Sequence, residues 1–387
     1  MSADALALYV HWPFCVSKCP YCDFNSHVRE AIDQQEWRDA LLADLAYEAR
    51  LLPGRTLGSI FFGGGTPSLM DPATVEAIIG AAATHWKPAE QIEITLEANP
   101  NSVEAARFAD LARAGVNRLS LGLQSFDDRA LRFLGRAHSA REGFEALEIG
   151  QRSFRRVSFD LIYALPADTE ESWAASLGQA LSLGTSHLSL YQLTIEPGTR
   201  FATMAARREL EPLDADAAAA LYELTDAMTS DAGKPAYEIS NYARHGQESR
   251  HNLTYWRYGD YAGIGPGAHG RRLGMRTVRH RKPENFLSAL GRNGHAIAEE
   301  AVLTRQEAAD EALVMGLRLR EGIDPEAIAE RFGFESVVDW GRVERLLGSG
   351  HLQRKGNRIA LTRAGRLVLD HVLGEIALAQ PSYAVAS

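Results

Sequence analysis

Cysteine is almost absent from this 387-residue chain, and the three present, Cys15, Cys19 and Cys22, all fall inside CVSKCPYC. An odd, crowded set excludes a disulfide framework, which needs paired cysteines in a small secreted fold. Long apolar runs are lacking as well: none reaches the ~20 residues that span a bilayer, so no transmembrane segment is expected. There is no excess of positive charge. Lys and Arg number 41 against 50 Asp and Glu, a formal charge of -9, which argues against broad binding to a phosphate backbone. The opening MSADALALYVHWPFC has no basic n-region, no apolar core with a cleavage site and no Arg-rich presequence. A cytoplasmic location is therefore expected, where thiols stay reduced and free to bind metal.

What is present is an alternation of β-rich runs and amphipathic stretches. Strands are expected at 6–12, 58–64, 91–99, 116–125, 155–163 and 186–194, with helical spacing at 35–51, 73–86, 102–114, 139–150 and 169–182. Strands and helices in this order imply βαβ units and a parallel sheet, and the scarcity of turn breakers implies strands covered on both faces. The expected fold is α/β: a partial (β/α)6 barrel over residues 1–235. Residues 236–303 read as an irregular segment rich in Gly and aromatics that carries HNLTYW. Residues 304–387 read as a helical, winged-helix-like domain with a hairpin at Gly356-Asn357 and a frayed final PSYAVAS.

Each expected strand ends in something polar. The first runs into the cysteines, the second into Gly63-Gly64-Gly65-Thr66-Pro67, the third reaches Glu97, the fourth Gln124, and the fifth carries Asp160. In β/α barrels the C-terminal strand ends build the site, so these groups should converge. Three thiolates on one tight loop suit a 4Fe-4S cluster with one exchangeable iron ligand. A zinc site completed by His11 or His27 is the alternative.

The motifs YVHWPFCVSKCPYCDFNSH, FFGGGTPS, LEANP, RLSLGLQSF, LGRAH and FDLIYALP, in that order, resemble the radical S-adenosylmethionine (SAM) superfamily and, within it, the oxygen-independent coproporphyrinogen III oxidase family. The resemblance covers nearly the whole chain. It implies a 4Fe-4S cluster on Cys15, Cys19 and Cys22, with SAM on the open iron. It implies further that Tyr9, Tyr21, Gly64, Gly65, Thr66, Glu97, Gln124, Arg136 and Asp160 contact SAM. Two departures separate the chain from the oxidase: Phe24 stands where the oxidase has a fourth cysteine, and Cys15 leaves no room for its N-terminal extension. Both look like the haem-chaperone branch, as does His251-Asn252-Leu253-Thr254-Tyr255-Trp256, which matches that branch's HNxxYW.

The resemblance therefore implies a haem chaperone that binds haem near His251, Asn252, Tyr255 and Trp256 and passes it to an acceptor protein. His11, His245 and His269 are rival iron ligands. Oxidative decarboxylation of coproporphyrinogen III is the alternative activity. The basic residues of the C-terminal domain (Arg342, Arg345, Arg354, Lys355 and Arg358) would suit DNA, but acidic residues interleave, and a lid or docking role is expected instead. A monomer or weak dimer is expected.

Overall fold

The computed structural model describes residues 5–29 and 31–378; the end of the chain, including PSYAVAS, lies outside them. Six parallel strands form in the expected order: β1 (Ala5–Trp12), β2 (Thr56–Gly64), β3 (Lys87–Ala98), β4 (Arg118–Gln124), β5 (Arg156–Tyr163) and β6 (His187–Gln192). Leu6, Leu8, Val10, Phe62, Leu96, Leu121, Phe159 and Leu190 are all at most 1% exposed, on the face that helices cover; their alternate neighbours Tyr9, Phe61, Glu97, Ser120, Asp160 and Ser189 line the lumen. The register of β1 on β2 runs from Ala5 opposite Thr56 to Trp12 opposite Gly64, so the cysteine loop and the glycine turn leave the sheet at one level.

Residues 236–303 correct the sequence expectation: they are not irregular. They supply β7 (Asn241–Ala243), β8 (Asp260–Ile264), β9 (His269–Arg272), β10 (Met275–Arg279) and β11 (Ile297–Val302). The sheet has 11 strands in the order β11-β10-β9-β8-β1-β2-β3-β4-β5-β6-β7. β8 is a seventh parallel strand on the outer side of β1, and the barrel stays open. β9 and β10 escape a hydrophobic pattern because their residues facing the helix Gln34–Leu51 include arginines. Arg272 and Arg279 are buried against Asp44 and Glu48 of the helix Gln34–Leu51, with Arg272 Nε 2.6 Å from Glu48 and Arg279 Nη2 3.1 Å from Asp44 and 2.6 Å from Glu48. Asp44 also accepts the Gly265 backbone N–H at 3.0 Å.

The C-terminal module has its own core around Leu313, Leu317, Val343, Ile359, Val372 and Ile376. Helices Arg305–Leu317, Pro325–Phe332 and Trp340–Gly348 precede the hairpin β12 (Leu352–Lys355) and β13 (Arg358–Leu361), then helices Arg363–Leu367 and Leu369–Ile376. Its basic residues are largely engaged already: Arg342 with Asp339, Arg354 with Glu344, Arg358 with Glu321, and Lys355 with the Arg320 carbonyl. The module docks on the barrel through Arg366–Asp226 and Arg257–Glu321.

Removing one member of a buried ion cluster leaves charge without a partner, a cost of about 3–5 kcal/mol. Arg279→Met should therefore lower stability by about that much in urea unfolding, and Arg279→Met/Asp44→Leu/Glu48→Leu should recover most of it. A loss for Arg279→Met below ~1 kcal/mol would contradict a structural role for the cluster.

Candidate functional site

Above the C-terminal strand ends lies a cavity of about 220 Å3 whose walls include Cys15, Cys19, Cys22, Tyr21, Gly64, Gly65, Thr66, Glu97, Gln124, Arg136 and Asp160. The glycine turn must approach the cysteine loop closely. A Cβ on Gly65 would lie 2.7 Å from the Phe14 carbonyl and 3.0 Å from Cys15 Sγ; Gly64 has φ +112°, and a Cβ there would strike the His11 ring at 2.6 Å. Gln124, at the end of β4, holds a left-handed φ of 66°, the kind of backbone strain that gathers at functional sites.

The three cysteines are free, and each sulfur has a polar neighbour. Thr66 Oγ1 donates to Cys15 Sγ at 3.5 Å, Arg136 Nη1 donates to Cys19 Sγ at 3.6 Å, and Ser26 Oγ lies 3.9 Å from Cys22 Sγ. Asn99 joins two of these donors: its Nδ2 donates to Thr66 Oγ1 at 3.0 Å and its Oδ1 accepts from Arg136 Nη2 at 2.6 Å. Burial pushes the Cys15 and Cys22 thiols up, so holding them as thiolates calls for a positive partner such as iron.

Zinc fits poorly. Thiolates on one tetrahedral ion sit within about 4 Å of one another, and among the described residues no three Cys, His, Asp or Glu side chains converge on a single-ion site. His11 is occupied at both nitrogens, 2.8 Å from Tyr9 OH and 2.9 Å from the Asn25 carbonyl, and His27 Nε2 lies 3.3 Å from Asn25 Oδ1. Three half-buried thiols on one wall, each with a polar neighbour, fit a multi-iron cluster better.

Glu97 and Asp160 are half-buried carboxyls on the cavity wall, beside the fully buried Glu104, which accepts from the Asn99 N–H at 2.8 Å. Burial, and then the charge of Asp160, pushes Glu97 up to about 8; burial pushes Asp160 up to about 6 although Ser189, Arg118 and Ser120 oppose it. Glu97 accepts the Gly64 N–H at 3.3 Å. The arrangement is poised to receive a cation and sugar hydroxyls.

Two larger cavities share a wall with the first at Phe24, Glu97 and Asp160. One, of about 630 Å3, runs down the barrel lumen to the helix Arg250–Trp256. Glu93 ties that helix to the barrel floor by accepting from Ser249 Oγ at 3.3 Å and the His251 N–H at 3.2 Å, while Arg156 pairs with it at 2.7 Å. Burial alone would raise the Glu93 pKa, yet Arg118 and Arg156 hold it below the usual range. His251 is buried in the lumen wall, stacked on Phe61 at 4.9 Å, its Nδ1 3.1 Å from Ser59 Oγ. Burial lowers its pKa to about 4 and keeps the imidazole neutral. Asn252 Nδ2 donates to Tyr237 OH at 3.4 Å, and Tyr255 and Trp256 pack together at 4.8 Å. The other cavity, of about 1200 Å3, lies between the barrel mouth and the C-terminal module, with Tyr191, Tyr222, Leu313 and Leu373 in its walls.

Tyr9 lies on the lumen side of the wall that the cysteine cavity and the lumen share at Gly64, Glu97 and Asp160. It faces the lumen beside Phe61 and His251 and does not line the cysteine cavity. Its position on β1 turns the ring inward, where His11 fixes the hydroxyl. Among the rival histidines, His11 has both nitrogens bound, His245 is exposed away from the three cavities, and His269 lines the lumen mouth. Sequence reasoning missed Asn99, Arg118, Phe61 and Arg318. Arg118, a cation inside an apolar strand pattern, was the visible signal among them.

An open parallel barrel that brings a CxxxCxxC loop against a glycine turn has the layout of a radical SAM protein, and the Radical SAM superfamily matches residues 9–180. The HemN C-terminal domain matches residues 303–368. "Heme chaperone HemW" of Escherichia coli is 37% identical over 97% of this chain and 98% of its own length. "Radical S-adenosyl methionine domain-containing protein 1, mitochondrial" of Mus musculus is 39% identical, covering 95% of this chain and 86% of that protein. The crystal structure of coproporphyrinogen III oxidase from Escherichia coli superposes with a TM-score of 0.80 over 96% of this chain and 89% of that one, at 23% identity, a likeness of fold. The chain belongs to the radical SAM superfamily, in the haem-chaperone branch of its coproporphyrinogen oxidase-like family. Membership implies a 4Fe-4S cluster and SAM. No helix of the described residues is long and apolar enough to cross a membrane.

The carboxyl of Glu97 generates a pH prediction for the SAM-free protein. Its folded pKa of about 8 exceeds the ordinary 4.5, so the stability it contributes is full below 4.5 and is lost as pH rises through 8. The loss amounts to at most ~5 kcal/mol, at about 1.4 kcal/mol for each unit between 4.5 and 8. Glu97→Gln should flatten the fall in melting temperature across that window; an unchanged slope would show that Glu97 ionises normally.

Proposed function

We propose that this protein is a haem chaperone: it holds a 4Fe-4S cluster and SAM at the strand ends, binds haem in the adjoining cavities, and hands haem to an acceptor protein in the cytoplasm. The observation that carries the reading is the shared wall of the three cavities at Phe24, Glu97 and Asp160. It sets a flat aromatic lumen, with His251, Tyr255 and Trp256 at its floor, directly beside the cysteines. Neutral imidazole is the form that ligates haem iron, and stacked aromatics suit a porphyrin face. The names of the bacterial relatives agree.

In this reading Cys15, Cys19 and Cys22 each ligate one iron. The cluster, once bound, leaves its fourth iron to the amino and carboxylate groups of SAM. Gly64 and Gly65 let the backbone approach the methionyl end, and Thr66 and Asn99 hold that turn against the cysteine loop. Glu97 would accept a hydrogen bond from the iron-bound amino N–H, Asp160 and Gln124 would face the nucleoside, and Arg136 would face the carboxylate while donating to Cys19. Tyr21 closes the outer side, and Tyr9 belongs to the lumen. Phe24 is 61% exposed at the point where the cavities meet. A cysteine there is part of the oxidase pattern; an aromatic ring suits contact with a macrocycle.

Anaerobically reconstituted protein should carry iron and sulfide that Cys19→Ser removes. Added haemin should develop a Soret band, and His251→Ala should weaken its binding about tenfold or more, roughly 1.4 kcal/mol. Bound haem should pass to an apo-haemoprotein. Turnover of coproporphyrinogen III with SAM and reductant, without haem uptake, would show the protein to be the oxidase instead.

A further inference from the structure

Four arginines bury an Nε that has no hydrogen-bond partner: Arg55, Arg136, Arg318 and Arg366. Three of them are engaged through other atoms. Arg55 pairs with Asp260 at 2.7 Å, Arg366 with Asp226 at 3.2 Å, and Arg136 donates to Asn99 at 2.6 Å and to the Gly122 carbonyl at 3.0 Å. Arg318 has neither an ion pair nor a side-chain hydrogen bond among the described residues; its guanidinium lies 4.7 Å from the Trp256 ring centroid. The neighbouring acid, Glu238, is buried and accepts from Asn241 Nδ2 at 2.5 Å and the Ser240 N–H at 3.0 Å.

The location gives this unpaired cation its meaning. Arg318 caps the helix Arg305–Leu317 of the C-terminal module, and it lies in the walls of both the mouth cavity and the lumen cavity. It does not line the cysteine cavity. We propose that Arg318 anchors a ligand carboxylate where these two cavities join, and that this carboxylate is a haem propionate. The inference rests on the haem reading above and adds the residue that recognises the acid groups of the macrocycle.

An always-charged guanidinium partly removed from water without an anion is costly, and a carboxylate arriving in its plane offsets that cost through two parallel hydrogen bonds. Trp256 fixes the plane of the guanidinium by cation–π contact before the ligand comes. Tyr191 and Tyr255 supply flat apolar surface on the same wall for the ring. Arg271, the neighbouring arginine, is already taken by Glu311 at 3.8 Å and by the Gly259 carbonyl at 2.9 Å. Because Arg318 belongs to the C-terminal module and the lumen to the barrel, a propionate held here would draw the two together.

The test uses full-length, cluster-reconstituted protein titrated with haemin and with haemin dimethyl ester in the same detergent. Wild type should bind the free acid about tenfold or more tightly than the ester. Arg318→Gln should abolish that preference by weakening the acid alone, and Arg318→Lys should keep part of it, since the charge remains while the fork is lost. SAM affinity should be the same in all three proteins. Equal weakening of acid and ester by Arg318→Gln, or no change for the acid, would overturn the proposal, as would a selective loss of SAM binding, which would make the carboxylate SAM's own. Failure of the wild type to bind either porphyrin would overturn the haem reading itself, and with it this anchor.

Discussion

Two backbone hydrogen bonds hold the site together. Gly65 N–H donates to the Trp12 carbonyl at 2.7 Å and Thr66 N–H donates to the Phe14 carbonyl at 2.8 Å. They stitch the glycine turn after β2 to the chain entering the cysteine loop after β1, and they leave no room for a Cβ at Gly65. Through them Cys15 acquires Thr66 as a donor, Thr66 acquires Asn99, and Asn99 acquires Arg136, which reaches Cys19. A chain of single contacts thus links three strand ends to two thiols. Sheet register and sulfur environment become one constraint.

The rest of the molecule manages buried charge around that constraint. On the outer edge, Arg272 and Arg279 fasten β9 and β10 to Asp44 and Glu48, so the sheet continues past β1. At the floor, Glu93 with Arg156 fixes the helix that carries His251. In between, Glu97 and Asp160 keep raised pKa values because burial is only partly offset. A cation beside such groups would favour their ionised form and offset the cost of burying it. The site is built to be filled.

Much of this was legible in the sequence. The six parallel strands lie where period and composition put them, for instance Arg156–Tyr163 within the expected 155–163. The helix expected at 102–114 is two pieces, Ser102–Ala105 and Phe108–Arg113, too short for helical spacing to resolve. Among the strands of 236–303, β9 and β10 were hidden because Arg272 and Arg279 occupy buried positions that a hydrophobic pattern would give to Val or Ile. The strand-end polar groups did converge, since each follows a strand of known direction. Asn99 and Phe61 lie inside LEANP and FFGGGTPS, but their contacts are with residues distant in the chain, and no local pattern marks Arg318. The side on which Tyr9 lies was hidden for a related reason: its strand was clear, but which face its ring takes depends on His11 and Phe61.

The central claim is that cluster, SAM and haem share one connected site around Phe24, Glu97 and Asp160. Electron paramagnetic resonance of the reduced cluster, recorded with SAM and then with added haem, tests it most directly. The account predicts that SAM changes the cluster spectrum and that haem then alters its relaxation through magnetic coupling across the shared wall. A cluster signal that responds to SAM but is indifferent to saturating haem would place the porphyrin elsewhere and contradict the account.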